Sequence, residues 1–222
     1  MSSSHEGIVS FTIPMLIKNS GDRYDGNLIS YFRAVFSHAT NLQNPYHNFR
    51  HMLYVVCRCY EACIYYGEAL SRRAVRDLLI AAMFHDFDHS GKMVNDEINI
   101  EMAILGFRKY LAQEDKDSQA RIEELISCTE YPYKVSSRKM DLSCQILRDA
   151  DLSQALNVAW IQQVIFGLAK EWNKSPQEVL KMQAGFHQNL GFATEWARKR
   201  FPLSMVVAKI QEAEDLLGIL EC

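Results

Sequence analysis

Four of the seven histidines in this 222-residue chain form two pairs with i,i+4 spacing, and aspartates accompany them. The pairs are His47/His51 and His85/His89, and the aspartates are Asp86, Asp149 and Asp151. On a helix, residues four apart share one face, so each pair would present two imidazoles side by side. Imidazole nitrogen and carboxylate oxygen together bind Zn, Fe, Mn or Mg. We therefore expect divalent metal ions, two of them, at these residues.

The chemistry that such a set supports is hydrolysis of a phosphate ester. An aspartate with two oxygens can bridge two ions, and a bridged pair polarises a phosphoryl oxygen and lowers the pKa of bound water. A nearby imidazole that binds no metal can protonate the leaving oxygen. His51, the His85-Asp86 dipeptide and Asp151 lie on three separate segments. The site therefore forms only if the fold brings those segments together.

Apolar residues recur at spacings of three and four through most of the chain, which predicts helices and gives no support for a parallel sheet. The predicted helices cover residues 26–40, 50–70, 71–84, 95–111, 122–128, 140–156, 158–172 and 175–186, with one or two more over 192–220. Residues 8–17 are apolar and β-branched, which favours a short strand or an extended arm. We expect an all-α fold with an N-terminal arm, residues 1–25, and a single helical bundle, residues 26–222, that holds the metal site between helices.

Local sequence patterns give more detail for two of these predicted helices. Over residues 26–40 the apolar stripe leaves Tyr31 outside it. The stripe consists of Leu28, Ile29, Phe32, Val35 and Phe36. Ser175, Pro176 and Glu178 form a helix-start pattern, with serine at the N-cap, proline at the first position and glutamate three residues after the cap.

Composition and charge narrow the class of protein. The chain is 48% hydrophobic with a formal net charge of −3, which suits a globular fold and gives no large basic surface for nucleic acid. The start lacks the basic and apolar run of a signal peptide, and no stretch approaches the roughly 18 apolar residues of a membrane span. We expect a cytoplasmic protein that binds neither nucleic acid nor membrane. The six cysteines contain no CxxC pair and are expected to be free thiols.

Six short blocks, in order along the chain, resemble the HD superfamily of metal-dependent phosphohydrolases, and most closely the catalytic domain of cyclic-nucleotide phosphodiesterases. Residues 46–51 resemble Tyr-His-Asn-x-x-His, and residues 85–91 resemble His-Asp-x-Asp-His-Pro-Gly with Ser90 in place of proline. The other blocks are residues 95–101, 126–130, 150–153 (Ala-Asp-Leu-Ser) and 183–186 (Gln-x-Gly-Phe). Ala103 and Gln154 stand where the family has histidine and, in many members, asparagine. The resemblance covers residues 46–186 in a compact form.

The resemblance implies a role for each matching position. Its implied first-metal ligands are His51, His85, Asp86 and Asp151, with Asp86 bridging to a second ion. The residues that it implies around the metal-bound waters are His89, Glu101, Thr129 and Glu130. His47 would be the general acid. Gln183 would bind the edge of a purine, Phe186 would stack on its ring, and Tyr46 would line the pocket.

The function implied is hydrolysis of a 3′,5′-cyclic nucleotide to the 5′-monophosphate, by metal-hydroxide attack with His47 as acid. An HD-domain phosphatase acting on nucleoside monophosphates or other phosphate esters is the alternative, since the metal site is common to both. A di-iron oxygenase on the same scaffold is less favoured, because between Asp86 and Asp151 the chain offers only His89 as a further histidine. A non-catalytic binding module would have no need of four ligands and His47. The sequence leaves adenine or guanine preference, metal identity and oligomeric state open.

Overall fold

The computed structural model describes residues 11–133, 136 and 139–221. In that part of the chain the fold is all-α, with eleven α-helices and no strand, as the sequence predicts. The helices are α1 (Ile13–Lys18), α2 (Ile29–His38), α3 (Phe49–Tyr66), α4 (Arg72–Phe84), α5 (Asp96–Tyr110), α6 (Gln119–Ser127), α7 (Leu142–Leu152), α8 (Phe166–Trp172), α9 (Pro176–Gln188), α10 (Glu195–Arg200) and α11 (Leu203–Glu221). Short 3-10 turns lie at Gly67–Ala69, Gln113–Ser118 and Ser153–Leu156, and a π-helix, Ile161–Ile165, leads into α8.

Side-chain caps fix where the site-bearing helices begin. Asn48 accepts hydrogen bonds from the backbone N–H groups of Arg50 and His51, so α3 starts immediately after it. Ser71 caps α4 and Asp141 caps α7 in the same way. Ser175 and Glu178 form the predicted capping box at the start of α9. Each cap satisfies N–H groups that a helix leaves without a partner in its first turn.

Helix α4 is the centre of the bundle. Residues 75–84 are all buried, which is the pattern of a helix surrounded by other helices. It packs on α3, α6 and α7, with α2 and α5 also against it. A second apolar cluster, centred on the fully buried Trp160, joins α8, α9 and α11. The candidate site lies where these two clusters meet.

The start of the described chain differs from the prediction of a strand or an extended arm. Helix α1 forms instead, with Thr12 at its N-cap and Pro14 in its first turn, where proline costs no hydrogen bond. Leu16 and Tyr24 are fully buried in the main core, so this part of the predicted arm packs on the bundle. Residues 8–10 lie outside the described residues.

Tyr31 corrects the stripe predicted for α2. Its side chain is fully buried, whereas Phe36, a predicted member of the stripe, is 57% exposed. The physical reason is a polar partner: the Tyr31 hydroxyl donates a hydrogen bond of 2.7 Å to the carboxylate of Asp115, which is also fully buried. A prediction from the spacing of apolar residues does not take such a hydrogen-bond partner into account.

The cysteines are also only partly as predicted. Cys128 and Cys144 form a disulfide, with their Cα atoms 5.8 Å apart, so the prediction of free thiols is wrong for this pair. Cys57, Cys59 and Cys63 are free. Burial raises the pKa of the Cys63 thiol to about 12, so it packs as a neutral group. Cys222 lies outside the described residues. Over the described part of the chain, no helix has both the length and the apolar character that crossing a membrane requires.

A buried ion pair ties three elements to α4. Arg76 donates from Nε and Nη2 to the two oxygens of Asp115, each at 2.7 Å, and from Nη1 to the carbonyls of Asp25 and Asn27, each at 2.8 Å. Asp115 also accepts from the hydroxyl of Tyr31, and Nη2 of Arg73 lies 2.9 Å from its Oδ1. Removal of the Asp115 carboxylate would leave the buried Arg76 without its bidentate partner.

We therefore expect Asp115→Ala to lower the free energy of unfolding by about 3–5 kcal/mol, the range found when one partner of a buried ion pair is removed. Urea denaturation monitored by circular dichroism measures it. Glu124→Gln is the control, because Glu124 pairs with Arg121 on the surface and its loss should cost less than about 1 kcal/mol. Equal effects in the two variants would contradict this account of the buried pair.

Candidate metal centre

The four predicted ligands come from three helices that pack on one another. His51 lies in the first turn of α3, and Asp151 in the last turn of α7. His85 is the C-cap of α4, and Asp86 follows it. Because α3, α4 and α7 are mutual neighbours in the core, their ends bring these side chains to one point. The structure thus unites the residues that the sequence placed far apart.

The predicted ligand atoms lie close to the mutual distances that a single ion requires. His51 Nε2 is 3.1 Å from Asp151 Oδ1, 3.2 Å from Asp86 Oδ2 and 3.3 Å from His85 Nε2. His85 Nε2 is 3.5 Å from Asp86 Oδ2 and 3.9 Å from Asp151 Oδ1. Donors bound at about 2.1 Å to one tetrahedral or octahedral ion lie roughly 3.0–3.4 Å apart. The set therefore needs only a small contraction around an ion.

Hydrogen bonds on the far side of each imidazole fix which nitrogen faces the centre. His51 Nδ1 is hydrogen-bonded to Gln154 Oε1, and His85 Nδ1 to the carbonyl of Ala82 at 2.9 Å. Both acceptors take a proton from Nδ1, so Nε2 is the nitrogen of each ring that faces the centre. The two Nε2 atoms lie 3.3 Å apart, beside two carboxylates.

The electrostatics of the centre favour a positive charge. Burial alone would lower the pKa of His51, but the hydrogen bond to Asp151 and the charges of Asp86 and Asp151 raise it to about 9. Burial would likewise raise the pKa of Asp86, yet His85, His89 and His51 hold it below its usual range. Asp86 Oδ2 is buried and accepts no hydrogen bond from the described residues. His51, His85 and Asp151 could hold a metal ion, and Asp86 Oδ2 lies 3.2 Å from His51 Nε2 beside them.

His47 is held beside this centre by a buried carboxylate from α8. Glu171 Oε2 lies 2.7 Å from His47 Nδ1, and its Oε1 accepts from the backbone N–H groups of Tyr46 and His47, each at 2.8 Å. The hydrogen bonds and the charge of His47 lower the pKa of Glu171 although burial opposes them. Gly167 permits the close approach of α8, because a Cβ there would lie 3.0 Å from the Pro45 carbonyl oxygen.

His89 forms the other side of the His47 pocket. The two rings stack with their centroids 3.7 Å apart. Its Nδ1 accepts from the N–H of Gly91 at 3.0 Å. Burial and the neighbouring His47 lower the pKa of His89 to about 4, so this imidazole is neutral at physiological pH.

Neither histidine pair lies on a helical face, contrary to the prediction from i,i+4 spacing. His47 precedes α3, which begins only after Asn48, and His89 lies in the turn that follows α4. Asp88 and Gly91 both have positive φ angles, of 60° and 65°, and turn the chain back toward the site. His47 and His89 still lie beside the site, but loops held by hydrogen bonds place them there.

A cavity of about 390 Å³ opens above the metal-binding residues. One part of its lining comes from α5 and the residues after α6, and it includes Asp96, Asn99, Thr129, Tyr131 and Tyr133. A second, more apolar wall comes from the π-helix, α8 and α9, and it includes Val164, Leu168, Trp172, Gln183 and Phe186. Tyr46, His47 and His89 line the cavity together with the predicted ligands. The cavity therefore has a charged base and an apolar side that carries one amide.

Two predicted positions around the metal-bound waters differ in the structure. Glu101 is exposed and does not line the cavity, because it lies about 100° around α5 from the buried Ile100. Asp96, at the start of the same helix, lines the cavity instead and accepts from the N–H of Tyr131 at 2.7 Å. Glu130 is half-buried outside the cavity lining, while Thr129 is buried within it.

Two further polar residues of α7 have structural roles. Asp149 accepts from the backbone N–H groups of Ala193 and Thr194, and from the Thr194 hydroxyl, so it anchors the start of α10. Arg148 is buried, donates to the carbonyl of Cys128 at 3.0 Å and lies 3.7 Å from the centre of the Tyr133 ring.

The sequence did not indicate Glu171 or the role of Gln154. Glu171 is 124 residues from His47, within an ordinary amphipathic helix, and no spacing rule connects the two. Gln154 is turned away from the cavity, with Oε1 on His51 and Nε2 3.3 Å from Gln163 Oε1. The sequence signal for Gln154 is its position directly after the Ala-Asp-Leu-Ser block.

In comparisons with known proteins, the chain matches no family model and no curated protein.

We expect the protein to bind Mn²⁺ or Zn²⁺, and His85→Ala to weaken that affinity by more than the roughly 100-fold lost when an outer partner of a ligand is removed. Isothermal titration calorimetry on chelator-treated protein measures the affinity. His38→Ala is the matched control, since that imidazole is exposed and stacks on Tyr110. Unchanged affinity in His85→Ala would contradict the proposed ligand set.

A milder loss is expected when only the orientation of a ligand is disturbed. Gln154→Ala removes the acceptor that fixes the tautomer of His51, and affinity should fall about 10–100-fold with unchanged stoichiometry. Gln119→Ala, which removes an amide bonded to Glu123 on α6, should bind as the wild type does. Wild-type affinity in Gln154→Ala would show that His51 needs no such partner.

Proposed function

We propose that this chain is a metal-dependent phosphohydrolase of the HD superfamily that hydrolyses a 3′,5′-cyclic nucleotide to the 5′-monophosphate. The observation that carries the proposal is the convergence on one cavity of two kinds of group. Four metal-binding side chains form its base, and an imidazole that is not among them, His47, stands beside them with a carboxylate behind it. Hydrolysis of an alkyl phosphate needs both activation of phosphorus and a proton for the leaving oxygen.

The metal-binding residues are suited to divalent ions of the Zn, Mn, Mg or Fe type. Two imidazoles and two carboxylates form a mixed donor set that each of these ions accepts. Such an ion, when bound, supplies Lewis-acid activation of the phosphate ester and of water. The exposed fractions of Asp86 and Asp151, 13% and 24%, leave carboxylate surface toward the cavity for a second ion.

His47 is the residue that we propose as general acid. Its Nδ1 is held by Glu171, so Nε2 is the nitrogen that can carry a transferable proton. The carboxylate stabilises the protonated imidazole and fixes its orientation, in the way that a buried aspartate serves a catalytic histidine. His47 would protonate the 3′ oxygen of the sugar as its bond to phosphorus breaks.

The apolar wall of the cavity supports a nucleobase as the rest of the substrate. Gln183 is 8% exposed, and its Oε1 is buried with no donor among the described residues. A purine amino group would satisfy that oxygen, and rotation of the amide would satisfy a purine carbonyl. Phe186 is half-buried one helical turn away and offers a ring for stacking. The site therefore suits adenine or guanine.

Release of 5′-monophosphate from cyclic AMP and cyclic GMP tests the proposal. We expect turnover that requires added Mn²⁺ or Mg²⁺ and that Asp86→Ala abolishes, because Asp86 is one of the residues that would hold the metal. Asp117→Ala is the control, since that carboxylate is exposed on the 3-10 turn Gln113–Ser118. Chromatographic separation of nucleotides measures the product.

Bound metal without turnover of either cyclic nucleotide would overturn the cyclic-nucleotide proposal. Release of inorganic phosphate from nucleoside monophosphates under the same conditions would then support the phosphatase alternative, which uses the same metal centre and the same acid.

A further inference from the structure

Asn41 is a buried polar residue that belongs to none of the motifs above. It lies in the irregular segment between α2 and α3, with 2% of its surface exposed. Its Nδ2 donates to two backbone carbonyls, those of His47 and Asp86, each at 2.8 Å. Its Oδ1 accepts from the backbone N–H of Asp88 at 3.0 Å. Both amide hydrogens and the amide oxygen are therefore in use.

The groups that Asn41 joins belong to the two halves of the proposed reaction. One carbonyl belongs to His47, which would give the proton, and the other to Asp86, which would hold the metal. Neither residue lies within a helix: His47 precedes the cap of α3, and Asp86 follows the end of α4. Helix packing alone therefore does not set the distance between them.

Two further side chains, Asp88 and Asn44, also join the segment before α3 to the segment after α4. Asp88 accepts from the N–H and hydroxyl of Thr40 at 2.7 and 2.9 Å, and Asn44 donates to the carbonyl of His89 at 3.0 Å. These bonds hold the outer parts of the two loops together. Asn41 alone among these three side chains bonds to the residues His47 and Asp86 themselves.

We propose that Asn41 is a positioning residue, which fixes the proton-donating His47 relative to Asp86, and so to the residues that would hold the metal, by tying the His47 and Asp86 backbones to one amide. The inference rests on the proposed function. A displacement of about 1 Å in a catalytic group can cost roughly 100-fold in rate, so two hydrogen bonds at this junction have kinetic consequences. Metal binding itself depends on side-chain atoms that Asn41 does not touch.

The test compares two phosphodiesters that differ in their need for an acid. A cyclic nucleotide expels an alkoxide, which needs the proton from His47, whereas bis(4-nitrophenyl) phosphate expels a stable phenolate, which does not. We expect Asn41→Ala to lower kcat for the cyclic nucleotide about tenfold or more relative to kcat for the nitrophenyl ester. Asn41→Ser, whose hydroxyl can keep one donor, should fall between Asn41→Ala and the wild type.

Controls separate positioning from general loss of structure. Tyr31→Phe removes a buried hydrogen bond far from the cavity and should leave the ratio of the two rates unchanged. In the background of His47→Ala, Asn41→Ala should have no further effect on the cyclic nucleotide, because the group that it positions is gone. Metal affinity, measured by calorimetry, should stay within about threefold of the wild type in Asn41→Ser, since Asn41 contacts no metal-binding atom.

Three results would overturn the role of Asn41. They are equal loss on both esters, no loss on either, and full additivity with His47→Ala. A wild-type protein that hydrolyses neither ester with metal bound would instead overturn the proposed function, and the role of Asn41 with it. The wild-type rates therefore distinguish the two failures.

Discussion

The close approach of two imidazole Nε2 atoms, 3.3 Å apart beside two carboxylates, is the constraint on which the rest of this structure depends. In a buried place such electron-rich atoms repel one another strongly unless positive charge lies between them. Asp151 and Asp86 raise the pKa of His51 although burial lowers it, as expected at a place where positive charge is stabilised. Three of these side chains, His51, His85 and Asp151, lie close enough together that they could hold a metal ion.

Holding that arrangement requires rigidity from the bundle. Helix α4 is buried along its length, so its C-terminal end, which carries His85, cannot shift without disturbing the core. The pair of Arg76 and Asp115 fixes its first half against α2 and the turn before α6. Helix α7 is similarly fixed through Asp149, which holds the start of α10. Polar groups that take no part in the site thus set the positions of those that do.

The fold class, and a cluster of His51, His85 and Asp151 that could hold a metal ion, could be predicted from the sequence because each depends on local or strongly patterned information. Apolar spacing predicts helices, and the cap at Ser175 is visible in four residues. The placement of His47 and His89 could not be predicted, because i,i+4 spacing carries no sign of whether a helix ends between the two residues. Asn48 as a cap and Asp88 at positive φ decide that question. Tyr31 was missed because its hydroxyl finds a partner 84 residues away.

The same reason explains why Glu171 and Asn41 escaped notice, and it bears on how the site works. A histidine within α3, as His51 is, takes its orientation from the helix and needs one further partner, Gln154. His47 lies outside any helix, so its position has to be set by separate contacts: Glu171 on its ring, His89 against its face and Asn41 on its backbone. Each of these comes from a different segment of the chain. A histidine in a loop therefore depends for its position on long-range contacts that no single motif contains. In the proposed reaction, substitutions at such positions should affect proton transfer before they affect metal binding.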